Sequence, residues 1–364
     1  MSEIIVGKRK IGNGHPCFII AEIGVNHNGD LELAKKMIDE AARAGVDAVK
    51  FQFIRADGLY VKDAGTVKTA SGDTFDAYNV WKNVEMPVSW LPIIKQHCNN
   101  RGILFFSSVF DLESVSVLDP FVDVYKIASS ETTDIPLLRK VARTGKPVIV
   151  SLGGATFAEV VEAVEMLTAE KSKIALLYCV QQYPMHFSSA NVAAVKTLAA
   201  RFPHVVVGYS DHSLFPDPAV VPAAAVSYGA KIIEKHFTLS RTMSGIDHHM
   251  SVEPHELKQM VDSIRTAELH GVSIAPEIVG NGKIELTQEQ AASLRFVRRF
   301  IFAIADINEG DSFTEKNIAT LRPGHRNIQG CIHPREYGKI IGKKAIRTVI
   351  KGSLLTYHCI EGKL

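Results

Sequence analysis

Tryptophan is scarce, with 2 residues, and the 5 cysteines include no CxxC pair. An odd set of scattered thiols (Cys17, Cys98, Cys179, Cys331 and Cys359) does not build a disulfide scaffold, and it suits free buried thiols in a reducing, cytoplasmic setting. A surplus of either charge is also missing. With 41 Lys+Arg against 39 Asp+Glu, the formal net charge is +2, which argues against a nucleic-acid partner and leaves any anionic ligand to a few local side chains. The apolar run at 17–23 is too short to cross a bilayer and contains Glu22, so neither a signal peptide nor a membrane span is expected. No P-loop or GxGxxG follows a strand-like run, so a nucleotide is not expected.

What is present is a chain of 364 residues, 46% hydrophobic and 22% charged, long enough for a large barrel and a small appendage. Short β-branched runs recur at 18–23, 48–53, 104–107, 124–127, 148–152, 174–178, 205–209 and 232–237. Each is followed by a segment with helical spacing. At 30–44, for example, a capping Asp30 precedes Leu33, Met37 and Ala41 on one face. Eight strand–helix units predict an α/β (β/α)8 TIM barrel over residues 1–280. Residues 57–85, polar and carrying Gly58, Gly65 and Gly72, read as a long ordered loop after the second strand, on the face where barrels place their active sites.

Residues 281–294 read as a linker and 295–364 as a small second domain, opening with a basic patch at Arg295, Arg298 and Arg299. Within it, Ala303, Ile307, Gly310, Phe313, Thr314 and Ile318 are echoed 42 residues later by Ala345, Val349, Gly352, Leu355, Thr356 and Ile360. The echo predicts pseudo-symmetric halves with glycine turns. About 70 residues is a marginal core, so the domain is expected to lean on another surface.

The carboxyl ends of the eight strands carry Glu22; Lys50 and Gln52; Ser107 and Ser108; Lys126, Ser129 and Glu131; Ser151; Gln181 and Tyr183; Ser210, Asp211 and His212; and Glu234 and His236. Two lysines with several serines suit phosphate and carboxylate oxygens, so a phosphorylated anionic substrate is expected. His212 and His236, on adjacent strands, can share a divalent ion, with Glu234 and Asp247 as oxygen ligands or supporting partners. Manganese is favoured over structural zinc, and His248 and His249 are alternative substrate contacts.

The segments 20–29 (IAEIGVNHNG), 49–52 (VKFQ), 125–131 (YKIASSE), 147–153 (PVIVSLG), 208–212 (GYSDH), 234–238 (EKHFT) and 245–251 (GIDHHMS) resemble the sialic acid synthase family. LRPG at 321–324 and IGKK at 341–344 resemble its C-terminal antifreeze-like (SAF, β-clip) domain. The resemblance spans essentially the whole chain. It implies metal-dependent condensation of phosphoenolpyruvate with an N-acyl amino-hexose such as N-acetylmannosamine, giving a nonulosonic acid and phosphate. Lys50, Lys126, Ser129, Ser151 and Ser210 would then hold phosphoenolpyruvate, with Ser108 and Gln181 at matching places. His212 and His236 would carry the metal, Mn2+ before Mg2+ or Co2+. Glu22 and Glu131 would handle protons or position water, and Gln52, Tyr183 and Asp247 would contact the sugar. Arg322 matches an arginine that the family's small domain contributes across a domain-swapped homodimer.

Three positions depart from the family pattern. Ser71, Gly72 and Asp73 stand near an expected Gly-Asn, Ser108 replaces Thr, and Gln181 replaces Asn. A legionaminic, pseudaminic or spore-coat sugar precursor is therefore an equal acceptor candidate. The competing readings are a keto-deoxy sugar phosphate synthase, a binding barrel without activity, and a Schiff-base aldolase using a desolvated lysine.

Overall fold

The computed structural model describes residues 2–68, 74–214, 216–286 and 288–362. Ser71, Gly72 and Asp73 lie outside the described residues, as does the side chain of Arg295. Eight parallel strands close into a barrel: β1 (Phe18–Gly24), β2 (Ala48–Phe53), β3 (Leu104–Val109), β4 (Tyr125–Ile127), β5 (Val148–Ser151), β6 (Ile174–Tyr178), β7 (Val206–Asp211) and β8 (Ile232–His236). All eight expected runs are strands, and β8 pairs with β1 to complete the ring. Helices cover the outside while side chains fill the inside, so the strands are buried on both faces and read as continuous apolar runs. The first covering helix, Leu31–Ala44, starts where Asp30 accepts from the backbone N–H of Glu32 and Leu33. It ends at Gly45, whose φ of 89° is left-handed.

Register fixes which polar residues share a level. Lys50 lies opposite Glu22, Ser108 opposite both Gln52 and Lys126, Ser210 opposite Glu234, and His236 opposite Glu22. A bulge in β1 between Glu22 and Gly24 shifts this register. Gly24 has a φ of 56°, and a side chain there would come within 3.3 Å of Glu22 Oε1.

The C-terminal region folds around its own core, which contains every apolar member of the repeat except the two glycines. Strands β9 (Phe300–Ala303) and β10 (Ile318–Leu321) pair antiparallel. Ile307 and Val349 exchange backbone hydrogen bonds of 2.9 and 2.8 Å, and about this pair the halves interchange. Gly310 N donates to Ala345 O as Gly352 N donates to Ala303 O, and Phe313 N donates to Lys343 O as Leu355 N donates to Ile301 O. Gly310 and Gly352 have φ of 87° and 84°, the left-handed turn that the echo predicts. Residues 281–294 carry the first part of a helix, Gln288–Val297, that runs into this domain.

The surface on which the small domain leans is the loop after β2. Leu59, Tyr60, Val61 and Ala64 of that loop form one apolar cluster with Phe302 and Leu321, and Arg322 N donates to Leu59 O at 2.9 Å. The loop thus lies between barrel and small domain, directly above the carboxyl ends of the strands. No helix among the described residues is long and apolar enough to cross a membrane.

Candidate active site

Alternation along each strand turns every second side chain into the barrel, and near the carboxyl ends these are polar. Lys50 Nζ lies 2.7 Å from Glu22 Oε2 and donates to Ser108 Oγ at 3.1 Å. Lys126 Nζ donates to Ser151 Oγ at 2.7 Å. Glu234 stands between the two ammonium groups, 3.8 Å from Lys50 and 3.5 Å from Lys126, and accepts from Ser210 Oγ at 3.1 Å. All seven residues are buried. Ser108 and Ser151 accept from the lysines, so their own hydroxyl hydrogens remain available to an anion.

Burial sets the electrostatics of this floor. It lifts the Glu22 carboxyl above the usual carboxylate range against the pull of Lys50. Burial alone would lift Glu234 as well, but Lys126, Lys50 and the Ser210 hydroxyl hold it below its ordinary value. Lys126 is lowered by the loss of water around it, partly offset by Glu234.

His212 and His236 lie beside this floor with ring centroids 5.6 Å apart, and the Tyr183 ring is 4.4 Å from His212. Burial keeps both imidazoles neutral: His212 is lowered, and His236 falls well below the usual value. His212 Nδ1 meets the Val180 carbonyl at 2.8 Å, which accepts only. Nδ1 therefore carries the proton and Nε2 the lone pair, the arrangement of a metal-ligating histidine. His236 Nδ1 is buried without a hydrogen-bond partner and lies 3.9 Å from Asp247 Oδ2. Burial raises Asp247 to about 6. Two neutral imidazoles, each with one lone-pair nitrogen, suit a divalent ion. Among the described residues no group of three or more His, Cys, Asp and Glu side chains is placed to hold a metal ion, so the imidazole pair would be the protein's share and the other positions would fall to water or substrate.

Gln52, Ser129, Gln181, Tyr183 and Asp247 are less buried and form a rim. Ser129 is within hydrogen-bond reach of Tyr183, and Gln181 Oε1 is buried without a partner beside Gly154. Glu131 stands apart from the lysine floor. It accepts from Arg322 Nη2 at 2.7 Å, from Arg299 Nε at 3.3 Å and from Ser130 Oγ at 2.5 Å. Arg322 here reaches the Glu131 of its own chain, whereas the resemblance implies the partner's site.

His248, offered by the sequence as an alternative substrate contact, is buried and engaged at both ring nitrogens. Its ring nitrogens pair with Thr238 Oγ1 at 2.6 Å and Asn28 Oδ1 at 3.2 Å, so it ties the loop after β1 to the loop after β8 that carries Asp247. Asn26 reinforces the tie by donating to Phe237 O and Ser251 Oγ. The residue most undervalued by the sequence reading is Glu234, set aside as a possible metal partner although it joins both lysines. Strand alternation was the available signal, because Glu234 and His236 share one face of β8. Lys235, between them, faces outward to Asp211.

The NeuB family profile matches residues 37–273, and that of the SAF domain matches residues 298–361. The chain is 40% identical over 357 residues to the spore coat polysaccharide biosynthesis protein SpsE of Bacillus subtilis, covering 96% of this chain and 95% of that one. The crystal structure of SpsE superposes with a TM-score of 0.87 at 36% identity over 100% of both chains. N,N'-diacetyllegionaminic acid synthase of Campylobacter jejuni is 36% identical over 345 residues, covering 93% of this chain and 98% of that one.

Proposed function

The chain belongs to the NeuB family and ends in a SAF domain, and from that premise we propose that it is a nonulosonic acid synthase of the transferase type. In this reading it condenses phosphoenolpyruvate with an unphosphorylated N-acyl amino-hexose. The observation that carries the reading is the floor of two buried lysines, each donating to a serine whose hydroxyl hydrogen is still free. Such a floor takes a phosphate and a carboxylate together, while the rim of Gln52, Tyr183 and Asp247 suits a neutral polyol.

The bond changes place demands on these side chains. C3 of phosphoenolpyruvate bonds to the acceptor's aldehyde carbon, water adds at C2, and the C2–O bond to phosphate breaks. The net change is loss of inorganic phosphate and gain of a 2-keto-3-deoxy acid. Lys50, Lys126, Ser108, Ser151 and Ser210 bind and orient the anion, with Ser129 and Gln181 closing its outer side. Glu22, lifted by burial and 2.7 Å from Lys50, is placed to hold or pass a proton. Glu131 positions water or the acceptor with Arg322. His212 and His236 hold a divalent ion, Mn2+ preferred to Mg2+ or Co2+, and when bound it supplies Lewis-acid polarisation of the acceptor carbonyl.

An acceptor bearing phosphate would need a second cationic pocket. Arg55 in the loop after β2 and Arg241 in the loop after β8 face Glu85 and Glu256 instead, which favours the unphosphorylated sugar. Five free thiols support a cytoplasmic location. The chain acts as a homodimer that exchanges its small domains, a reading supported by the separate core of that domain. Phosphate release from phosphoenolpyruvate that depends on an unphosphorylated amino-hexose and on Mn2+ tests the reading; release only with a phosphorylated pentose would replace it by the keto-deoxy sugar phosphate alternative.

A further inference from the structure

Arg299 is among the largest fully buried side chains of the protein, 1% exposed, and sits immediately before β9 at the seam with the barrel. Its guanidinium touches three separate segments. Nε faces Glu131 Oε1 at 3.3 Å and Asp134 Oδ2 at 3.5 Å in the turn after β4. Nη1 donates to Gly58 O at 2.8 Å in the loop after β2, and to Thr320 O at 2.7 Å in β10. Thr320 Oγ1 in turn donates to Asp134 Oδ2 at 2.9 Å.

Glu131 Oε1 therefore receives two guanidiniums, from Arg299 and from Arg322, while Ser130 links Arg322 to Glu131 Oε2. Burying a guanidinium and a carboxylate costs more than burying an apolar pair of similar size, and such a pair is retained mainly where it fixes one arrangement. An apolar seam would dock the small domain as well. Only a charged fork fixes where one carboxylate oxygen points.

We propose that Arg299 is a positioning residue for Glu131. It does not touch substrate; it holds the Glu131 carboxylate opposite Arg322 and makes that geometry depend on the small domain being seated on the loops after β2 and β4. The proposal rests on the synthase reading above. Lysine cannot replace arginine here, because one ammonium cannot reach Glu131 and the two carbonyls in the same fork.

The test is a kinetic cycle of wild type, R299M, E131Q and the double variant in the full-length protein, with far-UV circular dichroism and thermal unfolding alongside. R299M should lower kcat by about 10- to 100-fold, the cost of misplacing a reacting group. KM for phosphoenolpyruvate should stay near wild type, since the lysine floor is untouched. The double variant should be no slower than E131Q alone, because Arg299 acts through Glu131. Losses that multiply in the double variant, or an R299M with wild-type kcat, overturn the proposal. If R299M does not fold, R299K carries the same expectation, and a fully active R299K overturns it. If neither folds, Arg299 serves folding and the proposal falls. A wild type that releases no phosphate overturns the synthase reading and this proposal with it, whereas an active wild type with an unimpaired R299M removes this proposal alone.

Discussion

The carbonyl oxygen of Val180 accepts from Nδ1 of His212 at 2.8 Å, and this one contact leaves Nε2 of the same ring as a lone-pair donor facing the site. His236 is held neutral by burial with no hydrogen bond to Nδ1. The pair is therefore ready for a cation without first losing a proton.

His212→Ala or His236→Ala should each abolish metal-stimulated turnover, a loss of roughly 10²-fold or more for several kcal/mol of charge stabilisation. Mn2+ binding measured by titration calorimetry should disappear in both variants. Chelator treatment of the wild type should have the same effect and be reversed by Mn2+. Full activity in a metal-stripped variant would remove the metal assignment.

Lys126→Met removes an ammonium that donates to Ser151 and balances Glu234. Charge-assisted hydrogen bonds contribute about 1.5–3 kcal/mol, so phosphoenolpyruvate should bind about 10- to 150-fold more weakly. Equilibrium binding of phosphoenolpyruvate without acceptor is the measurement. Borohydride with pyruvate should trap nothing on Lys126; a covalent adduct there would favour the Schiff-base aldolase.

Glu131→Gln and Arg322→Met break the two ends of one 2.7 Å contact. Each homodimer should be impaired. In a domain-swapped dimer, refolding equal amounts together forms mixed dimers in which one site regains both residues, restoring about a quarter of wild-type activity. No recovery on mixing would show that each chain closes on itself.

His27 is buried against Phe51 and Trp90, its Nδ1 accepts from Gly29 N, and burial lowers it to about 4. A histidine lowered in the folded state takes up a proton more readily when unfolded. Its contribution is therefore complete above about pH 6.5 and is lost as pH falls toward 4. Going from 6.5 to about 4 at 1.36 kcal/mol per pKa unit, the loss is worth roughly 3 kcal/mol. His27→Asn keeps an acceptor for Gly29 and should flatten the acid side of a denaturation series. Asp134 and Asp247, both raised to about 6, act in the opposite sense, so the difference between wild type and variant is the quantity to compare. Parallel pH curves would contradict the assignment.

Much of this site was legible before folding because period and register are local. Strand alternation places Lys50 and Gln52 on one face of β2 and Ser210 at the level of Glu234, and the eight β-branched runs give the barrel. The 42-residue echo was legible for the same reason, since both halves use the same apolar and glycine positions. In the sequence Arg299 is only one member of a basic patch. Its partner Glu131 lies 168 residues away, and nothing local marks a buried guanidinium. The tie made by His248 is equally hidden from local reading, because its partner Asn28 lies 220 residues away in the loop after β1.

The central claim is that the lysine floor and the histidine pair join phosphoenolpyruvate to an unphosphorylated amino-hexose. The most direct measurement is a mass spectrum of the products formed with Mn2+, phosphoenolpyruvate and a panel of N-acetylmannosamine, its diacetamido-trideoxy relatives and phosphorylated pentoses. The account predicts, for one amino-hexose, a product heavier than the acceptor by one pyruvate unit, formed in step with inorganic phosphate. Product from a phosphorylated pentose alone, or no new acid from any acceptor despite bound metal and phosphoenolpyruvate, would contradict it.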